Sequence, residues 1–136
     1  MSKKNKKILI INTTYRQLGG EDINIIEEVN FLQKFYKVDY LEFQNKKKLQ
    51  FKDLFYFLTL NNKDSNSQLQ NKITQFNPDL VYINNTWFRG NLGLFKILKK
   101  NKIKTILKIH NFRYECTRHI TSKGHVSGND VCKICG

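Results

Sequence analysis

The sequence predicts an α/β domain built on a doubly wound parallel sheet. Three observations carry that expectation. Short β-branched apolar runs recur at residues 7–12, 79–84 and 104–109, as strands buried on both faces require. Segments with apolar residues at helical spacing separate them. The first such segment joins two strand-like runs as β-α-β, a unit that crosses over right-handed and makes its strands parallel.

Each element has its own signal. Lys7-Ile8-Leu9-Ile10-Ile11-Asn12 is the opening strand. A loop over residues 13–20 ends in Gly19-Gly20. A helix starts at Glu21-Asp22 and carries Ile25, Val29, Leu32 and Tyr36 at helical spacing. Its acidic start and Lys34 near its end suit the helix dipole. Val38-Asp39-Tyr40-Leu41-Glu42-Phe43 alternates as a strand with one polar face. Residues 44–50 form a polar, Lys-rich turn, and the aromatic run 51–60 is a helix. Residues 61–67 are a loop. Residues 68–76 are a further helix, stopped by Asn77-Pro78. The strand 79–84 leads through a loop at 85–89 into an amphipathic helix over 91–100. There Leu92, Phe95 and Leu98 share one face, with Lys96, Lys99 and Lys100 off it. The fourth strand covers 104–109. From His110 the periodicity is lost. Residues 1–110 are therefore the domain core, and residues 111–136 an irregular, cysteine-containing tail or loop of the same domain.

The 136 residues carry 24 Lys+Arg against 11 Asp+Glu, a formal net charge of +13. Such a balance points to an anionic partner: nucleic acid, an anionic membrane or a phosphorylated substrate. The plain alternative is compositional drift, since Lys and Asn abound while Arg is scarce. Lys is the weaker planar phosphate reader, and no predicted helix or strand interleaves basic with aromatic residues, which argues against nucleic acid. No apolar stretch approaches the roughly 18 residues a membrane span needs. The basic lead-in Met1 to Lys7 precedes only four apolar residues, too few for a signal-peptide core. A cytoplasmic, reducing compartment follows as the expectation, with structural disulfides disfavoured.

Four stretches carry candidate chemistry. Gly19 and Gly20 let the backbone approach a ligand and expose N–H groups at a helix N-terminus. The loop lacks the G-x-G-x-x-G pattern of dinucleotide sites. Glu21 and Asp22 would repel a phosphate, whereas carboxylates bind sugar hydroxyls well; the alternative is a simple Gly turn before a capped helix. His110 follows the fourth strand, where it can act as general acid/base or hydrogen-bond donor, with Asn111 beside it and Arg113 placed to neutralise an anion. The alternatives are a His satisfied by backbone and a surface Arg. Cys116, Cys132 and Cys135 include one Cys-x-x-Cys knuckle, which suits a structural zinc completed by His119 or His125; a thiol clip or no joint role competes. Lys46-Lys47-Lys48 followed by the aromatic run 51–58 matches an interfacial membrane helix, with a core helix as the alternative.

Taken together, these pieces resemble the N-terminal domain of family 4 glycosyltransferases of the GT-B fold. The resemblance rests on the first strand and its loop ending Gly19-Gly20-Glu21-Asp22, the Glu27-Glu28-Val29 helix, the stretch from Phe76-Asn77-Pro78 to Asn85-Thr86, and Lys108-Ile109-His110-Asn111-Phe112-Arg113-Tyr114-Glu115-Cys116 with the later Cys-x-x-Cys. It implies a Rossmann-like domain that binds the sugar acceptor in a cleft reached by Gly19, Gly20 and His110. Asn111 and Arg113 are further candidates. Many relatives have Pro after the first Cys of the last motif, where this chain has Thr117.

The resemblance implies a hexosyltransferase-type enzyme that moves a sugar from a nucleotide-sugar donor to a lipid-linked or polysaccharide acceptor, with no catalytic cofactor. In that family a second Rossmann-like domain with a Glu-rich motif holds most of the donor. The sequence through Gly136 does not include it. The expectation is therefore an acceptor-binding half, inactive alone, with a donor-binding domain in another chain and peripheral contact with the inner face of a membrane. The competing class is a basic, non-enzymatic α/β module with a zinc-stabilised tail that binds nucleic acid or a protein.

Overall fold

The computed structural model describes residues 5–14, 20–45, 55–56, 58–59, 61–87 and 90–109. Strand β1 (Lys7–Thr14) leads through helix α1 (Gly20–Gln33) to β2 (Lys37–Gln44). Helix α2 (Lys63–Phe76) precedes β3 (Leu80–Ile83), and α3 (Gly93–Lys100) precedes β4 (Lys104–Leu107). All strand pairs are parallel, in the order β2-β1-β3-β4. The expected doubly wound, Rossmann-like α/β sheet is present.

β1 is central because its side chains are apolar on both faces. Leu9, Ile10 and Ile11 are fully buried. Ile8 and Ile10 pack with Ile25, Val29 and Leu32 of α1, and Tyr36, just beyond it, joins that layer. Leu9 and Ile11 pack with Leu69 and Ile73 of α2 and Leu94 and Leu98 of α3. Among these elements, α1 lies on one face and α2 and α3 on the other.

The helical spacing of Ile25, Val29, Leu32 and Tyr36 is therefore the buried stripe it predicts. α1 starts one residue earlier than expected, at Gly20, and β1 runs two residues further, to Thr14. β2 departs from the expected single polar face. Val38 and Tyr40 meet the α1 layer while Leu41 and Phe43 meet the other. Asp39 shares the second face and pairs with Lys72 of α2 at 2.9 Å.

The largest correction concerns residues 61–67, expected as a loop. α2 begins at Lys63, because buried Asn62 caps it: its side chain accepts from the N–H groups of Asp64 and Ser65, satisfying donors that would otherwise be orphaned. Acidic Asp64 in the first turn adds to this. The expected stop holds. Asn77 adopts the left-handed conformation (φ 48°) and its N–H closes on Ile73 O at 2.8 Å. α3 begins two residues later than expected, at Gly93, and β4 ends at Leu107 rather than Ile109. Phe55, Tyr56, Leu58 and Thr59 are helical within the expected run 51–60.

These roles rank two substitutions. Leu9→Ala removes a fully buried side chain and should cost about 2–5 kcal/mol, whereas Asn62→Ala removes one cap and should cost about 1 kcal/mol. Chemical denaturation of both variants checks the order; equal losses would contradict the placement of the core.

Candidate functional site

A parallel strand order that departs from β1 in both directions creates a switch point. Chain β1→β2 moves to one side and β3 lies on the other, so ligands are expected at the carboxyl ends of β1 and β3. Both strands end there in amides and hydroxyls. Asn12 and Thr13 close β1, and Asn84, Asn85 and Thr86 follow β3; all five are buried. The two strand ends are tied together. Asn84 Nδ2 donates to Asn12 Oδ1 at 3.0 Å, Asn85 Nδ2 donates to Thr13 O at 3.0 Å, and Trp87 N–H donates to Asn85 Oδ1 at 2.9 Å. Asn45, just past β2, donates from Nδ2 to Thr14 O and to Trp87 O.

The cluster is incomplete in itself. Among the described residues, buried Asn12 Nδ2 and Thr13 Oγ1 have no hydrogen-bond partner. Such groups cost about 1–3 kcal/mol each when left unmade. They face opposite sides of β1, because successive side chains alternate. Trp87 stands at this edge with 38% of its surface exposed. No charged side chain belongs to this set of five.

Gly90 shows how closely the loop after β3 is packed. A Cβ there would lie 2.6 Å from Thr13 Oγ1 and 2.9 Å from both Thr86 Cα and Thr86 O. Only a residue without a side chain fits, which holds the loop against β1.

Of the residues singled out from the sequence, Gly20 is the first and Glu21 the second residue of α1, at this same edge. Gly19, His110, Asn111, Arg113, Cys116, Cys132 and Cys135 lie outside the described residues, as do His119 and His125. The backbone leads toward His110 from the carboxyl end of β4, where Lys108 N–H donates to Ile83 O at 2.8 Å. β4 lies two strands from β1, about 10 Å at the usual strand spacing, and both chains leave at one edge. Among the described residues no group of three or more His, Cys, Asp and Glu could hold a metal ion. No helix among them is long and apolar enough to cross a membrane. Lys46 to Lys48 lie outside the described residues, while Phe55 and Leu58 are exposed.

The site residues that sequence reasoning missed are Asn12, Thr13, Asn84, Asn85, Trp87 and Gly90. A signal existed: Ile11-Asn12-Thr13 and Ile83-Asn84-Asn85-Thr86 repeat the same change from buried aliphatic to amide and hydroxyl.

A second polar group lies on the α1 face. Tyr82 Oη donates to Glu28 Oε2 at 2.9 Å, and Lys108 Nζ pairs with Glu28 Oε1. Burial, then the hydrogen bond to Glu28 and the nearness of its negative charge, push the Tyr82 hydroxyl from its usual 10.0 up to about 12.

No family model, curated protein or solved structure matches this chain.

Two outcomes follow from this geometry. Gly90→Ala should lower stability by about 1–3 kcal/mol, since backbone as well as a hydroxyl must move; an unchanged melting transition would contradict the close approach. The Tyr82 shift has a signed consequence. A group whose pKa is higher folded than unfolded contributes stability that is whole below pH 10 and lost as pH rises toward 12. Tyr82→Phe should flatten that part of the stability–pH curve, as measured by denaturation at stepped pH against the unaltered protein.

Proposed function

We propose that this chain is the acceptor-binding, Rossmann-like domain of a GT-B-type glycosyltransferase. One observation carries the proposal beyond the sequence resemblance: the carboxyl ends of β1 and β3 gather buried amides and hydroxyls, with an exposed Trp87 beside them. Amides and hydroxyls both donate and accept, as vicinal sugar hydroxyls do. An indole offers a flat apolar face with a polar tip, suited to the apolar face of a pyranose. A site for a free phosphate would instead present Arg, Lys or a cation.

In this reading Asn12, Thr13 and the amides after β3 form the cleft wall. Gly19, Gly20 and Glu21 approach from the start of α1. His110 takes the proton of the acceptor hydroxyl, and Asn111 and Arg113 support it. The nucleotide-sugar donor is held largely by a second domain, wherever that is encoded. A domain that holds one substrate cannot by itself set both in a near-attack geometry. The exposed Phe55 and Leu58 favour a lipid-linked acceptor presented at a membrane surface. Cys116, Cys132 and Cys135 would hold a structural zinc that takes no part in the transfer.

The second reading, a basic module for nucleic acid or a protein, is favoured by the net charge of +13. The two readings part on salt and on ligand. Amide-resolved NMR of the isotopically labelled chain, titrated with methyl glycosides of neutral hexoses, should shift Asn84, Asn85 and the Trp87 indole. Trp87→Ala should weaken that binding by about 1 kcal/mol, roughly fivefold. No shifts at those positions, together with polyanion binding that collapses as salt rises, would overturn the glycosyltransferase reading in favour of the module.

A further inference from the structure

Among the described residues α1 is the one helix on its face of the sheet; it reaches Leu80 and Tyr82 of β3 only in part and leaves Ile106 of β4 exposed. The result is a trough of about 540 Å³ beside α1, floored by Leu80, Tyr82 and Ile106 and walled by Phe31. A second hollow of about 530 Å³ shares Ile8, Leu32 and Leu80 with it and extends it toward Lys6 and Lys104. The β3–β4 strip is two strands wide, about 10 Å, which is the diameter of one helix with its side chains.

The trough is apolar but its ends differ in charge. Glu27 and Glu28 lie toward the carboxyl edge, Glu28 already paired with Lys108. Lys6, Lys7 and Lys104 outnumber Asp79 at the amino edge. An occupant must therefore be a helix with acidic groups toward one end, a cation at the other, and an apolar stripe.

α1 itself has those properties. Its 14 residues hold Glu21, Asp22, Glu27 and Glu28, four of the chain's 11 acidic residues, and no Lys or Arg. Lys34 follows its last turn. Ile23 and Phe31 are 59% and 58% exposed, and with Glu27 they form an i, i+4, i+8 stripe away from the buried Ile25.

We infer that the trough is filled by α1 of a second copy of this chain, in a two-fold dimer. The two α1 helices lie antiparallel between the two sheets. Each packs its Ile23–Glu27–Phe31 stripe over the β3–β4 strip of the other copy. The acidic half of one helix meets the Lys6 and Lys104 end of the other copy's trough, and Lys34 of one copy meets Glu27 of the other. Such an interface is isologous, so the same patch serves both copies. It also places opposite charges together on a chain that is otherwise strongly cationic.

Sedimentation velocity on the 136-residue protein, from about 5 to 200 µM at physiological salt, tests this. A reversible doubling of mass is expected. Ile23→Glu and Ile106→Glu, both at exposed positions, should each abolish it while leaving the far-ultraviolet circular dichroism unchanged. Glu27→Lys or Lys34→Glu alone should weaken association roughly tenfold, and the two combined should restore most of it. A monomer throughout that range would overturn the inference. So would a dimer indifferent to both isoleucine variants, or a combined charge reversal no better than the single ones.

Discussion

Burial of β1 on both faces is the constraint on which the other placements depend. Leu9, Ile10 and Ile11 expose no surface, so each edge of β1 needs a paired strand and each face a layer of helices. β2 takes one edge and β3 the other. α1 closes one face, and α2 with α3 the other. Past Lys7, polar side chains enter this strand only near its exit, where Asn12 and Thr13 are buried. The exit of β3 meets them with groups equally deep, Asn84 at the Asn12 side chain and Asn85 at the Thr13 carbonyl. The strand order and the polar cluster at these strand ends are thus two results of one requirement.

The sequence showed the strands plainly, because a buried parallel strand must be a continuous aliphatic run. It could not show their order, since Ile8-Leu9-Ile10-Ile11 is apolar in both directions and does not say which strand lies on which edge. α2 was half hidden. Its first turn, Lys63-Asp64-Ser65-Asn66, is as polar as a loop, and only the cap made by Asn62 and the burial of Ser65, Leu69 and Ile73 reveal a helix. β2 looked one-sided because Asp39 and Glu42 are polar, yet Asp39 lies on a packed face, held by Lys72.

Of the expected site, only Gly20 and Glu21 fall among the described residues, at the start of α1; the polar chemistry gathered at the ends of β1 and β3 was not read from the sequence. The buried amides at the strand ends were passed over because Asn is an ordinary loop residue, favoured wherever the backbone turns. Burial is what separates a turn-forming Asn from a structural one. Asn91 and Asn77 take positive φ and serve turns and caps; Asn12, Asn84 and Asn85 are interior and bond to each other's strands.

The two faces of the sheet are unequal, and Glu28 stands where that inequality meets the cleft. It belongs to α1, accepts from Tyr82 on β3 and pairs with Lys108 just past β4. One carboxylate therefore ties α1 to β3 and to the end of β4. Lys108 is also two residues before His110, so the position of α1 bears on the direction in which the chain leaves β4. A half-buried ion pair is a modest source of stability, but it is well placed to fix direction, since its geometry is shared by three elements. Glu28 lines the trough and reaches Lys108 at the carboxyl side of β4, so the trough and the polar strand ends share that edge of α1 although no described side chain belongs to both.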